Sequence, residues 1–118
     1  KSLQVLMLSQ NRLILLNPIL SSLSFLRKLQ LHENDLTSLP EEICSLHNLV
    51  ELSISKNKLI QLPKSLPKLT NLCNLLAAEN DLSTDPSGWG LPGISHELGY
   101  MTNLTEINID FNDALEAP

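Results

Sequence analysis

Aromatic side chains are scarce in this 118-residue chain, which holds two Phe, one Tyr and one Trp. A globular core of this size normally uses more rings as filler. Here leucine must do that work, which favours many similar layers over one irregular core. Long apolar runs are missing too. The longest uninterrupted aliphatic stretch is Leu13 to Leu16, far short of the roughly 20 residues needed to span a bilayer as a helix. The opening KSLQVLMLSQ is too broken by polar residues for a secretory leader. There are only two cysteines, Cys44 and Cys73, with no clustered framework around them. That pattern favours reduced thiols and a cytoplasmic setting over a disulfide-stapled secreted domain. One sequon, Asn103-Leu104-Thr105, points the other way.

Basic residues are absent from the second part of the chain. All eight Lys and Arg lie at or before Lys68, whereas eight of the thirteen acids lie beyond it. With a net charge of −5 and no basic stripe, nucleic-acid binding is excluded as an expectation. Catalytic signatures are missing as well. There is no H-E-x-x-H, C-x-x-C, G-x-G-x-x-G or phosphate-binding loop, and no serine in a nucleophile elbow. His32, His47 and His96 occupy unrelated places, so no catalytic residue, metal ligand or cofactor is expected. The acidic run Asp110 to Asp113 reads as a solvated turn rather than a cation site.

What is present is a repeat. Segments beginning at Leu3 (LQVLMLSQNRL), Leu26 (LRKLQLHENDL), Leu49 (LVELSISKNKL) and Leu72 (LCNLLAAENDL) stand 23 residues apart, and a fifth begins at Leu104 (LTEINIDFNDA). Each follows L-x-x-L-x-L-x-x-N-x-L, with Ile or Ala at some apolar positions. The alternation in Lys28-Leu29-Gln30-Leu31-His32 predicts a half-buried strand with Leu29 and Leu31 inward. Five such strands in register form a parallel sheet, and each needs a return segment. The returns carry their own apolar positions, Leu36, Leu39, Ile43 and Leu46, then Leu59, Leu62, Leu66 and Leu69. An asparagine side chain can bond backbone groups within a tight turn. Asn11, Asn34, Asn57, Asn80 and Asn112 are therefore expected to form a structural ladder.

The 23-residue period and this pattern are those of the leucine-rich repeat. The return motif L-x-x-L-P-x-x-[IL]-x-x-L, seen in LTSLPEEICSL and LIQLPKSLPKL, resembles the intracellular class found in Ras-group leucine-rich-repeat scaffolds, their plant relatives and scribble- and erbin-type polarity proteins. The first repeat departs from it, with Asn17-Pro18. The fold expected is an α/β solenoid over residues 1–118, a curved horseshoe with a parallel β-sheet on the concave face and extended or short helical turns on the convex face. No amphipathic cap precedes Leu3 and no return follows Leu115, so a fragment of a longer array is expected.

Within about residues 85–97 the fourth return carries extra length, Trp89 and three of the four glycines (Gly88, Gly90 and Gly93), with Gly99 just beyond. Trp89 reads either as a lid over the gap left by Asp85 or as a partner anchor in a loop. The outward strand positions make columns across the sheet, headed by Val5, Met7 and Ser9. The first continues through Lys28, Glu51, Asn74 and Glu106. The second continues through Gln30, Ser53, Leu76 and Asn108, and the third through His32, Ser55, Ala78 and Asp110. These are the candidate partner-binding residues, with Ser53 and Ser55 expected to be exposed at the centre. The resemblance implies a non-enzymatic protein-interaction module, a scaffold or adaptor in intracellular signalling whose partner is a small GTPase or signalling enzyme. Two rivals are the recognition half of a larger kinase, phosphatase, cyclase or GTPase-containing protein, and an extracellular receptor ectodomain.

Overall fold

A computed structural model describes residues 2–82, 101 and 103–109. Five short strands, β1 (Val5–Met7), β2 (Lys28–Gln30), β3 (Glu51–Ser53), β4 (Asn74–Leu76) and β5 (Glu106–Asn108), lie side by side in chain order. All four neighbouring pairs are parallel, and the register is one repeat. Leu6 faces Leu29, Leu29 faces Leu52, Leu52 faces Leu75 and Leu75 faces Ile107. Pairing continues past each strand, as in Leu31 N to Ser53 O (2.7 Å) and Glu33 N to Ser55 O (3.0 Å).

The returns close through 3₁₀ turns at Pro18–Ser22, Glu41–Ser45 and Leu66–Lys68. Prolines sit where their missing N–H costs nothing: Pro18 starts the first turn and Pro40 precedes the second. In the first repeat the Asn17 side chain caps the turn by accepting from Ile19 N. A helical turn is wider than a strand, so stacked returns spread further than stacked strands. The solenoid therefore curves toward its sheet, which lines the concave face.

The core is a leucine column between the two layers. Leu26, Leu29, Leu31 and Leu36 of the second repeat, and Leu49, Leu52, Ile54 and Leu59 of the third, are fully buried. Leu39, Ile43 and Leu46 close the second repeat from the return side. The first repeat has a neighbour on one side only among the described residues. There Leu3 is 42% exposed and Leu6, Leu8 and Leu13 are only partly covered. The segment 85–97, Trp89, Asp110 and Asn112 lie outside the described residues, so the expectations placed on them are not met or refused by the structure.

Sharp turns follow every described strand up to β4. Gln10, Glu33, Lys56 and Glu79, at the same place in four repeats, sit in the left-handed region with φ of 61°, 60°, 58° and 56°, and Arg12 (φ 56°) adds a second such position in the first repeat. None is Gly or Asn, so each repeat carries a strained backbone position. Lys56→Asn should be neutral or stabilise by up to about 0.5 kcal/mol, and Lys56→Val should destabilise by about 1–2 kcal/mol. Urea unfolding of the two variants beside the parent checks both.

Candidate protein-binding face

The asparagine turns knit neighbouring repeats together. Asn34 Oδ1 accepts from Asn11 N and Leu13 N of the preceding repeat, both at 2.9 Å. Its Nδ2 donates to Leu31 O of its own strand (2.9 Å) and Leu8 O of the previous one (3.0 Å). Asn57 repeats the arrangement with Leu36 N, Leu31 O and Ile54 O, and Asn80 with Asn57 N, Leu59 N, Ile54 O and Ala77 O. Asn34, Asn57 and Asn80 are buried, while Asn11 is exposed. These residues hold the binding face rigid and do not form part of it.

A second asparagine column escaped the sequence reading. Asn48 Nδ2 donates to Ser24 O (2.9 Å), Asn71 Nδ2 to His47 O (2.8 Å) and Asn103 Nδ2 to Thr70 O (2.7 Å). Each stands immediately before a repeat's first leucine, and Phe25 takes that place ahead of the second repeat. The signal was present as N-L at 48, 71 and 103. The sequon residues belong to the same joint, because Thr105 Oγ1 donates to Cys73 O at 3.2 Å.

The concave surface is set by the register. Val5, Lys28, Glu51, Asn74 and Glu106 align in one row, and Met7, Gln30, Ser53, Leu76 and Asn108 in the next. Lys28, Gln30, His32, Glu51, Ser55, Asn74, Leu76 and Asn108 are half-buried, and Glu106 is exposed. Two residues differ from expectation. Ser53 is only 6% exposed and Ala78 only 9%. Both side chains are short, and the His32 ring lies against Ser53. His32 reaches across the sheet, with its Nδ1 2.9 Å from Ser9 Oγ and 3.4 Å from Ser53 Oγ. Ser55 is engaged as well, its Oγ accepting from Ala78 N at 3.0 Å. Large substitutions at 53 or 55 would disturb the sheet, so neither is a free surface position.

Polar side chains tie the rows together. Gln30 Nε2 donates to Glu51 Oε2 (3.3 Å), and Lys28 Nζ lies 4.0 Å from Glu51 Oε1. Gln10 Nε2 donates to Glu33 Oε1 at 2.9 Å. The exposed apolar part of the face is Val5 and Met7, 45% and 68% exposed. A mixed polar face with a few apolar contacts fits a protein surface better than a small molecule.

The convex side carries structural groups. Cys44 is buried, and burial followed by the nearby Glu41 charge pushes its thiol up to about 12. It stays a protonated packing group at neutral pH. Glu41 spans two repeats by accepting from Lys64 N (3.0 Å) and Ser65 N (3.1 Å). Burial pulls its carboxyl up, but the bonds from Lys64 and Ser65 outweigh that and hold it below its ordinary 4.5. The folded value is depressed, so the carboxylate adds stability at pH above 4.5 that fades as pH falls through the folded value. The stability difference between parent and Glu41→Gln should be constant from pH 6 to 8 and shrink below about pH 4.5. Urea midpoints at stepped pH measure it.

Among the described residues, no group of three or more His, Cys, Asp and Glu is placed to hold a metal ion, and no helix is long and apolar enough to cross a membrane. His47 is exposed on the return, away from His32, and His96 lies outside the described residues.

Solved structures share this architecture. A leucine-rich-repeat protein of Leptospira interrogans superposes with a TM-score of 0.79 and 36% sequence identity, over 92% of this chain and 25% of that one. An internalin of Listeria monocytogenes does so with a TM-score of 0.71 and 23% identity, over 92% of this chain and 28% of that one. The chain thus spans about a quarter of the length of these proteins. No protein-family model and no curated protein matches it.

Proposed function

We propose that this leucine-rich-repeat chain is a protein-interaction module whose concave sheet is the binding face. The observation that carries the reading is the register. Outward side chains of five strands are held in straight rows by two asparagine columns and a continuous leucine core. A partner therefore meets a surface that is already ordered, and little side-chain or backbone freedom is lost on association. Solenoids present such extended concave surfaces to proteins.

The finer reading is a scaffold or adaptor in cytoplasmic signalling, with no catalytic step of its own and with a small GTPase or signalling enzyme as partner. It is supported by the return motif around Pro40 and Pro63 and by the two free cysteines. The shallow mixed face suits a folded protein surface.

The test is a pull-down from cytosolic extract with this chain as bait beside a Gln30→Arg, Leu76→Arg twin. Both positions point outward and are half-buried, so the fold should persist, which a melting curve checks. Proteins captured by the parent and lost by the twin support the concave face. Identical capture by both contradicts it.

A further inference from the structure

We propose a second recognition site, a groove along the leading edge of the sheet that takes a short extended peptide bearing an acidic side chain. The inference rests on the chain being a binding module but concerns a different surface. An open groove of about 590 Å³ runs past Phe25, Arg27, Asn48, Val50, Asn71 and Asn103. It crosses repeats at the points where the chain enters successive strands.

Three features define its ligand. The first is charge. Lys28 lies beside Glu51, and Lys58 lies 3.6 Å from Asp35. Arg27 is exposed and has no acidic partner among the described residues. Its guanidinium offers a planar fork suited to a carboxylate. The nearby acid, Glu51, is already engaged by Lys28 and Gln30.

The second feature is the amide column. Asn48, Asn71 and Asn103 each use one Nδ2 hydrogen on a neighbouring carbonyl. That bond fixes the side chain and leaves an acceptor oxygen and a second N–H. Fixed donor-acceptor pairs match the alternating C=O and N–H groups of an extended main chain. The third feature is Phe25, 57% exposed, which with Val50 offers an apolar seat beside Arg27. From the Arg27 strand to the Asn103 strand is three steps of about 4.8 Å, the length of about four extended residues at roughly 3.3 Å each. The fitting motif is therefore about four residues long, with its acid and an adjacent apolar side chain at the Phe25 end.

The experiment is selection of a random twelve-residue peptide display library on the immobilised chain, followed by fluorescence polarisation of the enriched peptides. Three proteins are compared: the parent, Arg27→Gln, and the Gln30→Arg, Leu76→Arg twin. Enriched peptides should share an acid next to an apolar residue. Arg27→Gln should weaken them by about tenfold or more, and the concave twin should bind as the parent does. No enrichment, enrichment without an acid, or equal binding by Arg27→Gln overturns the groove. Loss with the concave twin alone assigns the peptides to the concave face instead. Arg27 is exposed, so the variant should fold, and its melting curve is measured alongside.

Discussion

Replacing Asn57 by alanine should lower the unfolding free energy by about 4 kcal/mol. Asn57 is 8% exposed and bonds Leu36 N, Leu31 O and Ile54 O at 3.0–3.1 Å. Alanine leaves Leu36 N without a partner where water has little access, at about 1–3 kcal/mol, and removes one of the two side-chain bonds that Leu31 O and Ile54 O each accept, at about 0.5–1.5 kcal/mol apiece. Because Leu31 and Leu36 belong to the preceding repeat, the damage falls on the joint between repeats. The control is internal. Asn11 has the same place in the motif but is exposed, so Asn11→Ala should stay within about 0.5 kcal/mol of the parent. Urea unfolding followed by circular dichroism measures both. Equal effects would show that the motif position, not the buried bonding, sets stability.

A second large effect is expected from the leucine column. Leu49 and Leu3 both open a repeat, but Leu49 is 0% exposed and Leu3 42%. Leu49→Ala should cost about 3 kcal/mol, the transfer term plus an uncollapsed cavity between two full neighbours. Leu3→Ala should cost about 1 kcal/mol, since part of its surface is already in water. The same unfolding measurement separates them. Similar costs would mean that the first repeat is packed as tightly as the third, against the exposure pattern.

Much of the fold was legible because one physical rule recurs. Two-residue alternation around Leu29 specified a strand, and the 23-residue spacing carried it to the other repeats and specified their register, even around Leu75, where Leu76 and Ala78 break the alternation. Asn34, Asn57 and Asn80 could be read because asparagine has few other reasons to recur at a turn. The second column was missed because the repeats were aligned on their first leucines, which put Asn48, Asn71 and Asn103 just outside the frame, and Phe25 interrupts it. Ser53 was read as exposed because alternation tells which face a side chain takes and not how far a neighbour such as His32 leans over it. The left-handed positions were hidden by their chemistry, since Gln10, Glu33, Lys56 and Glu79 carry no glycine signal. Glu41 was invisible for another reason: its partners, the amides of Lys64 and Ser65, are backbone groups in the next repeat. The concave rows themselves followed directly from the register.

The most direct test of a concave binding face is photo-crosslinking from defined positions. A benzophenone side chain is placed at Asn74 on the concave sheet or at Ser45 on the convex turn, and each protein is irradiated in cytosolic extract. A concave binding face predicts a discrete protein adduct from position 74 and none from position 45. An adduct from position 45, with none from position 74, would contradict it.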